Sequence, residues 1–192
     1  MTPVWVALPH DVAVDNRLIR AGAQTQRRNR WGTRGTPVFS LSPSVARPLS
    51  RGRLCLSGAH PDAPPRIEPN LLADSDDVAT LAAGVRLIDR IAATAPFARH
   101  VARRLTPNFD LDDTAALHRF VRDDASICYH ASGTCQMGMD SGSVVDPQLR
   151  VRGVDALRVA DASVMPTIPS GNLNAPTIMI AERAADFIRA TH

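Results

Sequence analysis

The stretch from Cys128 to the end constrains the fold most. Ser143-Val144-Val145 reads as a short strand stopped by Asp146-Pro147, and Leu157-Arg158-Val159-Ala160 as a second one ending at Asp161. The turn Gly153-Val154-Asp155 precedes the second strand. A helix follows, with Asn174 expected at the N-cap and Pro176 in the first turn, where a missing N–H costs nothing. Ile178, Ala181, Ala185 and Ile188 recur at helical spacing and define its expected inward face.

Upstream, Val4, Val6 and Leu8 alternate like a short strand, and Asp15 to Gly22 suits a helical turn. Val38 to Ser42 alternates and stops at Pro43, and Arg53 to Leu56 alternates after the turn Ser50-Arg51-Gly52. Gly52 is expected to supply a positive φ. Residues 58–69 hold several prolines and read as a loop. Ser75 is the expected cap of a helix whose first turn carries Asp76 and Asp77. Val78, Leu81, Val85, Ile88 and Ile91 form its apolar face, and the helix should end before Pro96. Another helix is expected from Asp112 or Asp113, with Leu117, Phe120 and Val121 inward. The acids at these two helix starts are read as caps, not as an acid/base pair.

At 192 residues, with 44% hydrophobic and 21% charged residues, the chain suits one soluble domain or one domain and part of another. All 22 basic residues are arginine, and the net charge of +3 is too small to argue for nucleic acid. The cluster Arg27 to Gly35 around Trp31 reads as a solvated loop, because no binding motif frames it. No apolar run reaches membrane-spanning length, and the first residues lack the pattern of a signal peptide. Three cysteines fit a reducing compartment, so a cytoplasmic location is expected. Cys128, His130 and Cys135 lie close in sequence, but without a Cys-x-x-Cys knuckle or a fourth ligand no metal site is expected.

One candidate stands out chemically. His130 sits in Tyr129-His130-Ala131-Ser132-Gly133-Thr134, a turn of small residues that lets backbone approach a flat ring closely. Imidazole accepts protons near neutral pH, which suits a general base. By chemistry alone, a single histidine in a loop is more often structural than catalytic.

The ordered run Cys128-Tyr129-His130…Gly133-Thr134-Cys135, Val144-Val145-Asp146-Pro147, Arg158-Val159-Ala160-Asp161-Ala162-Ser163 and Pro169-Ser170-Gly171-Asn172-Leu173-Asn174-Ala175-Pro176 resembles the C-terminal signature of the glucose–methanol–choline oxidoreductases. These are flavoenzymes that oxidise alcohols, among them enzymes of the choline dehydrogenase and alcohol dehydrogenase type. The resemblance implies FAD as cofactor and a small-molecule alcohol as substrate. It implies His130 as the base facing the flavin and Asn172 as its partner across the substrate oxygen. The family carries histidine or asparagine at that second place. An amide orients an alcohol but does not take its proton, so a single-base mechanism is implied. Asp161 and Ala162 would meet the diphosphate and ribityl region. Asn174, Ala175 and Pro176 would meet the pyrimidine side of the flavin, and Tyr129 would lie against the cofactor. Arg47 to Gly52 resembles the family's strand-turn-strand passage into the substrate-side sheet, and Ile67-Glu68-Pro69-Asn70 its connection from that sheet to the next helix.

The resemblance implies an α/β (α+β mixed) fold. Its antiparallel substrate-side sheet should run from about Val38 to Leu56 with flanking helices, followed by a strand and helix that complete a flavin-binding domain. The expected segments are 1–35, a poorly defined N-terminal stretch; 36–142, part of a substrate-binding domain; and 143–192, the return to the flavin domain. The 192 residues contain no Gly-x-Gly-x-x-Gly turn to cradle a diphosphate. The flavin would then depend on a separately encoded or upstream N-terminal FAD-binding half. The alternative is a truncated, non-catalytic remnant or interaction module unable to bind FAD alone.

Overall fold

The computed structural model describes residues 4–7 and 38–190. The Asp15–Gly22 turn, the arginine cluster around Trp31, His10 and His192 lie outside the described residues. In chain order the elements are β1 (Val4–Ala7), β2 (Val38–Leu41), β3 (Arg53–Cys55), β4 (Arg66–Glu68), α1 (Ser75–Ala92), the single turn α2 (Ala95–Ala98), β5 (Arg103–Thr106), α3 (Thr114–Asp124), a 3-10 turn (Ala162–Val164) and α4 (Asn174–Arg189). Two compact units result. One comprises Met1–Val45 with Asp74–Ile127, the other Ala46–Ala73 with Cys128–His192.

The first unit holds an antiparallel sheet of order β2-β1-β5. The helices α1 and α3 pack on each other. Val78, Leu81, Ala82 and Val85 are buried on α1, and Leu117 and Val121 on α3. The expected apolar stripe of α1 is therefore correct at its first three positions, while Ile88 is half-buried and Ile91 is exposed in the last turn. The cap is Asp74 rather than Ser75, its carboxylate accepting from the Asp76 amide at 2.9 Å. A carboxylate one residue earlier reaches the first-turn amide that Ser75, already helical, cannot. Asp113 caps α3 by accepting from the Ala116 amide at 2.9 Å. Arg86 ties the helices together, donating to the Leu111 carbonyl and the Thr114 hydroxyl, each at 3.0 Å.

Val38–Leu41 and Arg53–Cys55 do not share a sheet, contrary to the expectation. β2 pairs with β1, whose Val-Trp-Val-Ala sequence favours a pleated strand. β3 instead pairs with β4 in the second unit, where Glu68 takes ion pairs from both Arg53 and Arg66. Composition hid β4 inside a proline-rich stretch. Its charges, complementary to those of β3, were the available signal. Gly52 is needed for a close approach and not for a positive φ. A Cβ there would collide with the Glu68 carbonyl and stand 2.7 Å from the Pro69 carbonyl oxygen.

The second unit closes on Val145, Leu149, Val164, Met165, Leu173, Ile180 and Ala184. Its expected strands at Val144-Val145 and Leu157–Ala160 are only isolated bridges, Val145 with Met137 and Val151, and Arg158 with Arg150. Turns interrupt the chain too often for a ladder to propagate. In α4 the inward face is Ile180, Ala184 and Phe187, one register away from the expected Ile178, Ala181, Ala185 and Ile188. Ile178 and Ile188 are exposed. The helix is apolar on more than one side, so periodicity alone did not fix which side its own unit covers. Among the described residues no helix is long and apolar enough to cross a membrane.

Leu117 is fully buried and Ile91 is 44% exposed. Leu117→Ala should cost about 2–5 kcal/mol in chemical denaturation. Ile91→Ala should cost less than about 1 kcal/mol. Equal losses would contradict the assigned core.

Candidate active site

The stretch that carries the candidate residues has little regular ladder. Three aspartates shape it instead. Asp140 accepts from the Ser143 hydroxyl at 3.0 Å and the Gly142 amide at 2.9 Å. Asp146 accepts from the amides of Gln148 and Arg150, each at 2.9 Å, and from Arg150 Nε at 2.7 Å. Asp161 accepts from the Ser163 amide at 2.7 Å and caps the 3-10 turn. Each carboxyl is held below the usual range. Ser143 is the main cause for Asp140, and Ser163 for Asp161. At Asp146 burial pushes the value up, but donors from Arg150 and Gln148 outweigh it.

These turns set two neighbouring stretches side by side. The Cys135 amide donates to the Ser163 carbonyl at 3.0 Å, and the Met137 amide to the Val164 carbonyl at 2.9 Å. The segment that follows His130 therefore runs along the 3-10 turn that follows Asp161. Val164 and Met165 sit in the same core as Leu173, directly after Asn172, and Met137 packs against that core. Residues adjacent to Asp161, Asn172 and Asn174 thus share one hydrophobic anchor, which the chain after His130 reaches at Met137. Each side chain has its own state. His130 and Ala162 are half-buried, while Asn172, Asn174 and Ala175 are exposed and Pro176 is half-buried.

Tyr129 has φ of 61° and its side chain is 87% exposed. A bulky residue in the left-handed region costs of order 1–3 kcal/mol and persists only where surrounding structure enforces it. No sequence signal announced this, because glycine or asparagine is the usual occupant. Gly133 takes the same region at φ of 89° and would accept a Cβ only 3.5 Å from the Met165 carbonyl oxygen. His130 is thus bracketed by two left-handed positions.

The start of α4 differs from expectation. Leu173, buried in the core, occupies the N-cap position, and no side chain caps the first turn. Asn174 is the first helical residue, so its amide begins the helix instead of capping it. An uncapped first turn on an exposed surface leaves N–H groups and the positive end of the dipole for an external acceptor. Around Gly171 there is open space within 4 Å of a built Cβ. The Asp161 carboxylate is engaged inside its own turn.

Among the described residues no cluster of three His, Cys, Asp or Glu is arranged to hold a metal ion. A cavity of about 230 Å³ in the first unit, lined by Ile88, Ala92, Val101 and the paired Asp89 and Arg104, contains none of the candidate residues.

Residues 48–181 match the family model described as GMC oxidoreductase. An alcohol dehydrogenase [acceptor] of Pseudomonas putida is 45% identical over 141 residues, which cover 73% of this chain and 26% of that protein. An oxygen-dependent choline dehydrogenase of Pseudomonas syringae is 42% identical over 160 residues, covering 82% of this chain and 28% of that protein. A structure of Aspergillus oryzae formate oxidase, solved to study modification of its FAD, superposes with a TM-score of 0.73 at 33% identity, over 82% of this chain and 27% of that one. The chain belongs to the GMC oxidoreductase family. It spans between a quarter and a third of the length of these relatives.

Carboxyls with lowered folded values stabilise above their unfolded pKa, about 3.9 for aspartate, and lose that contribution as pH falls through the folded value. Asp146→Asn keeps an acceptor but removes the charge. Its melting temperature should lie below wild type at pH 7, and the gap should close below about pH 4. A gap that is constant with pH, read by circular dichroism, would contradict the stapling role.

Proposed function

We propose that this chain forms the C-terminal part of an FAD-dependent oxidoreductase acting on CH–OH groups, converting an alcohol to an aldehyde or ketone. The observation that carries the proposal is the shared anchor. Val164 and Met165 after Asp161, and Leu173 between Asn172 and α4, lie in one core, and Met137, seven residues after His130, packs against it. His130 takes the hydroxyl proton as base, and Asn172 orients the substrate oxygen through its amide. Backbone N–H groups of Asn174 and Ala175 bind the pyrimidine edge of the flavin, with Pro176 beside it and Tyr129 along the ring. Backbone at Asp161-Ala162 faces the diphosphate and ribityl chain. FAD, when bound, supplies the acceptor for the hydride leaving the alcohol carbon.

The glycine-rich cradle for the diphosphate comes from another stretch of polypeptide, upstream or separately encoded. The exposed Ile178, Met179 and Ile188 of α4 support such a neighbour. Residues 36–142 then contribute to the substrate side and 143–192 return to the flavin side. The free thiols of Cys55, Cys128 and Cys135 suit a reducing, cytoplasmic setting.

Expressed with the glycine-rich N-terminal segment of a full-length relative, the chain should give a yellow complex that reduces a dye with alcohols. His130→Ala should lower kcat by at least about a thousandfold while the complex stays yellow. Asn172→Ala should cost about 10–100-fold, mainly in kcat. Full turnover in His130→Ala would overturn the assignment of the base. A complex that stays colourless with added FAD would favour the non-catalytic module.

A further inference from the structure

We propose that Asp161 is a positioning residue for His130, acting through the backbone of Ser163. The proposal rests on His130 being the base and assigns the Asp161 side chain a role that cofactor contact does not cover.

The connection can be followed bond by bond. The Asp161 carboxylate holds the Ser163 amide at 2.7 Å. The Ser163 carbonyl holds the Cys135 amide at 3.0 Å, and the next carbonyl, of Val164, holds the Met137 amide at 2.9 Å. Val164 is fully buried, so the 3-10 turn is fixed to the core on its other side. Gly133 passes close to the Met165 carbonyl in a left-handed conformation. The chain after His130 is therefore pinned at Cys135 and Met137 against a turn whose cap is Asp161.

The Tyr129 ring is 87% exposed, so packing of that ring does not sustain its left-handed φ of 61°. Removing an N-cap acceptor loosens the turn it caps. Loss of the Asp161 carboxylate should release the Ser163 and Val164 carbonyls, and with them the Cys135 and Met137 amides. A base displaced by about 1 Å loses about a hundredfold in rate without losing its chemistry.

The first test is amide hydrogen exchange on this chain. Asp161→Ala should speed exchange at Cys135 and Met137 about tenfold. Amides of Leu117 and Val121 in the other unit should be unchanged. Asp161→Asn, whose amide oxygen still accepts from Ser163, should return exchange to within about threefold of wild type. Asp161→Gly removes the acceptor at a position that tolerates glycine, and serves if the alanine variant does not fold. In the flavin-loaded complex, Asp161→Ala should lower kcat about 10–100-fold, change KM less than about threefold and leave the yellow colour intact. Asp161→Asn should restore kcat.

Unchanged exchange at Cys135 in Asp161→Ala overturns the proposal. So does faster exchange with unchanged kcat, or loss of flavin with exchange intact, which would make the side chain a cofactor ligand. Faster exchange and lower kcat with full activity in His130→Ala would support the anchor and overturn the base.

Discussion

Aspartate carboxylates closing turns are the constraint on which the second unit depends. Between Cys128 and Leu173 no strand is long enough to organise a ladder. Asp140, Asp146 and Asp161 replace that ladder with bonds from nearby amides and side chains. Charge-assisted bonds of this kind are about twice as strong as neutral ones. They also satisfy backbone groups that sheet pairing would otherwise engage. The resulting loops lie against a small apolar core and keep their geometry without regular structure. Loops fixed in this way can present polar groups to a ligand while the core stays dry.

The arrangement separates two jobs. Carboxylates work inside the turns, while His130 is half-buried and Asn172, Asn174 and Ala175 are exposed. The left-handed backbone at Tyr129 and Gly133 makes the sharp passage around His130. Family membership gives this geometry its meaning. The Pseudomonas putida relative is an alcohol dehydrogenase [acceptor], and the formate oxidase of Aspergillus oryzae carries FAD.

The sequence revealed family more readily than pairing. The family was legible because short motifs of fixed order surround His130 and Asn172. The stripe of α1 was legible because Val78, Leu81 and Val85 keep helical spacing over several turns. Partners of strands were not. Alternation in Val38–Leu41 says nothing about whether Val4–Ala7 or Arg53–Cys55 lies beside it, since pairing is settled by contacts distant in sequence. The register of α4 was missed because apolar residues surround it, and only packing selects Ile180 and Ala184. Caps shifted by one residue, from Ser75 to Asp74 and from Asn174 to Leu173. A carboxylate outcompeted a hydroxyl in the first case. In the second, burial of leucine outweighed the capping preference of asparagine. The left-handed Tyr129 had no signal at all.

The most direct measurement is a crystal structure of the flavin-loaded protein, completed by its glycine-rich segment, with an alcohol bound. A ring nitrogen of His130 and the side-chain amide of Asn172 should both lie within about 3.2 Å of the same alcohol oxygen. The carbinol carbon should lie above the flavin ring. An alcohol held beside the flavin with either side chain directed elsewhere would contradict the account.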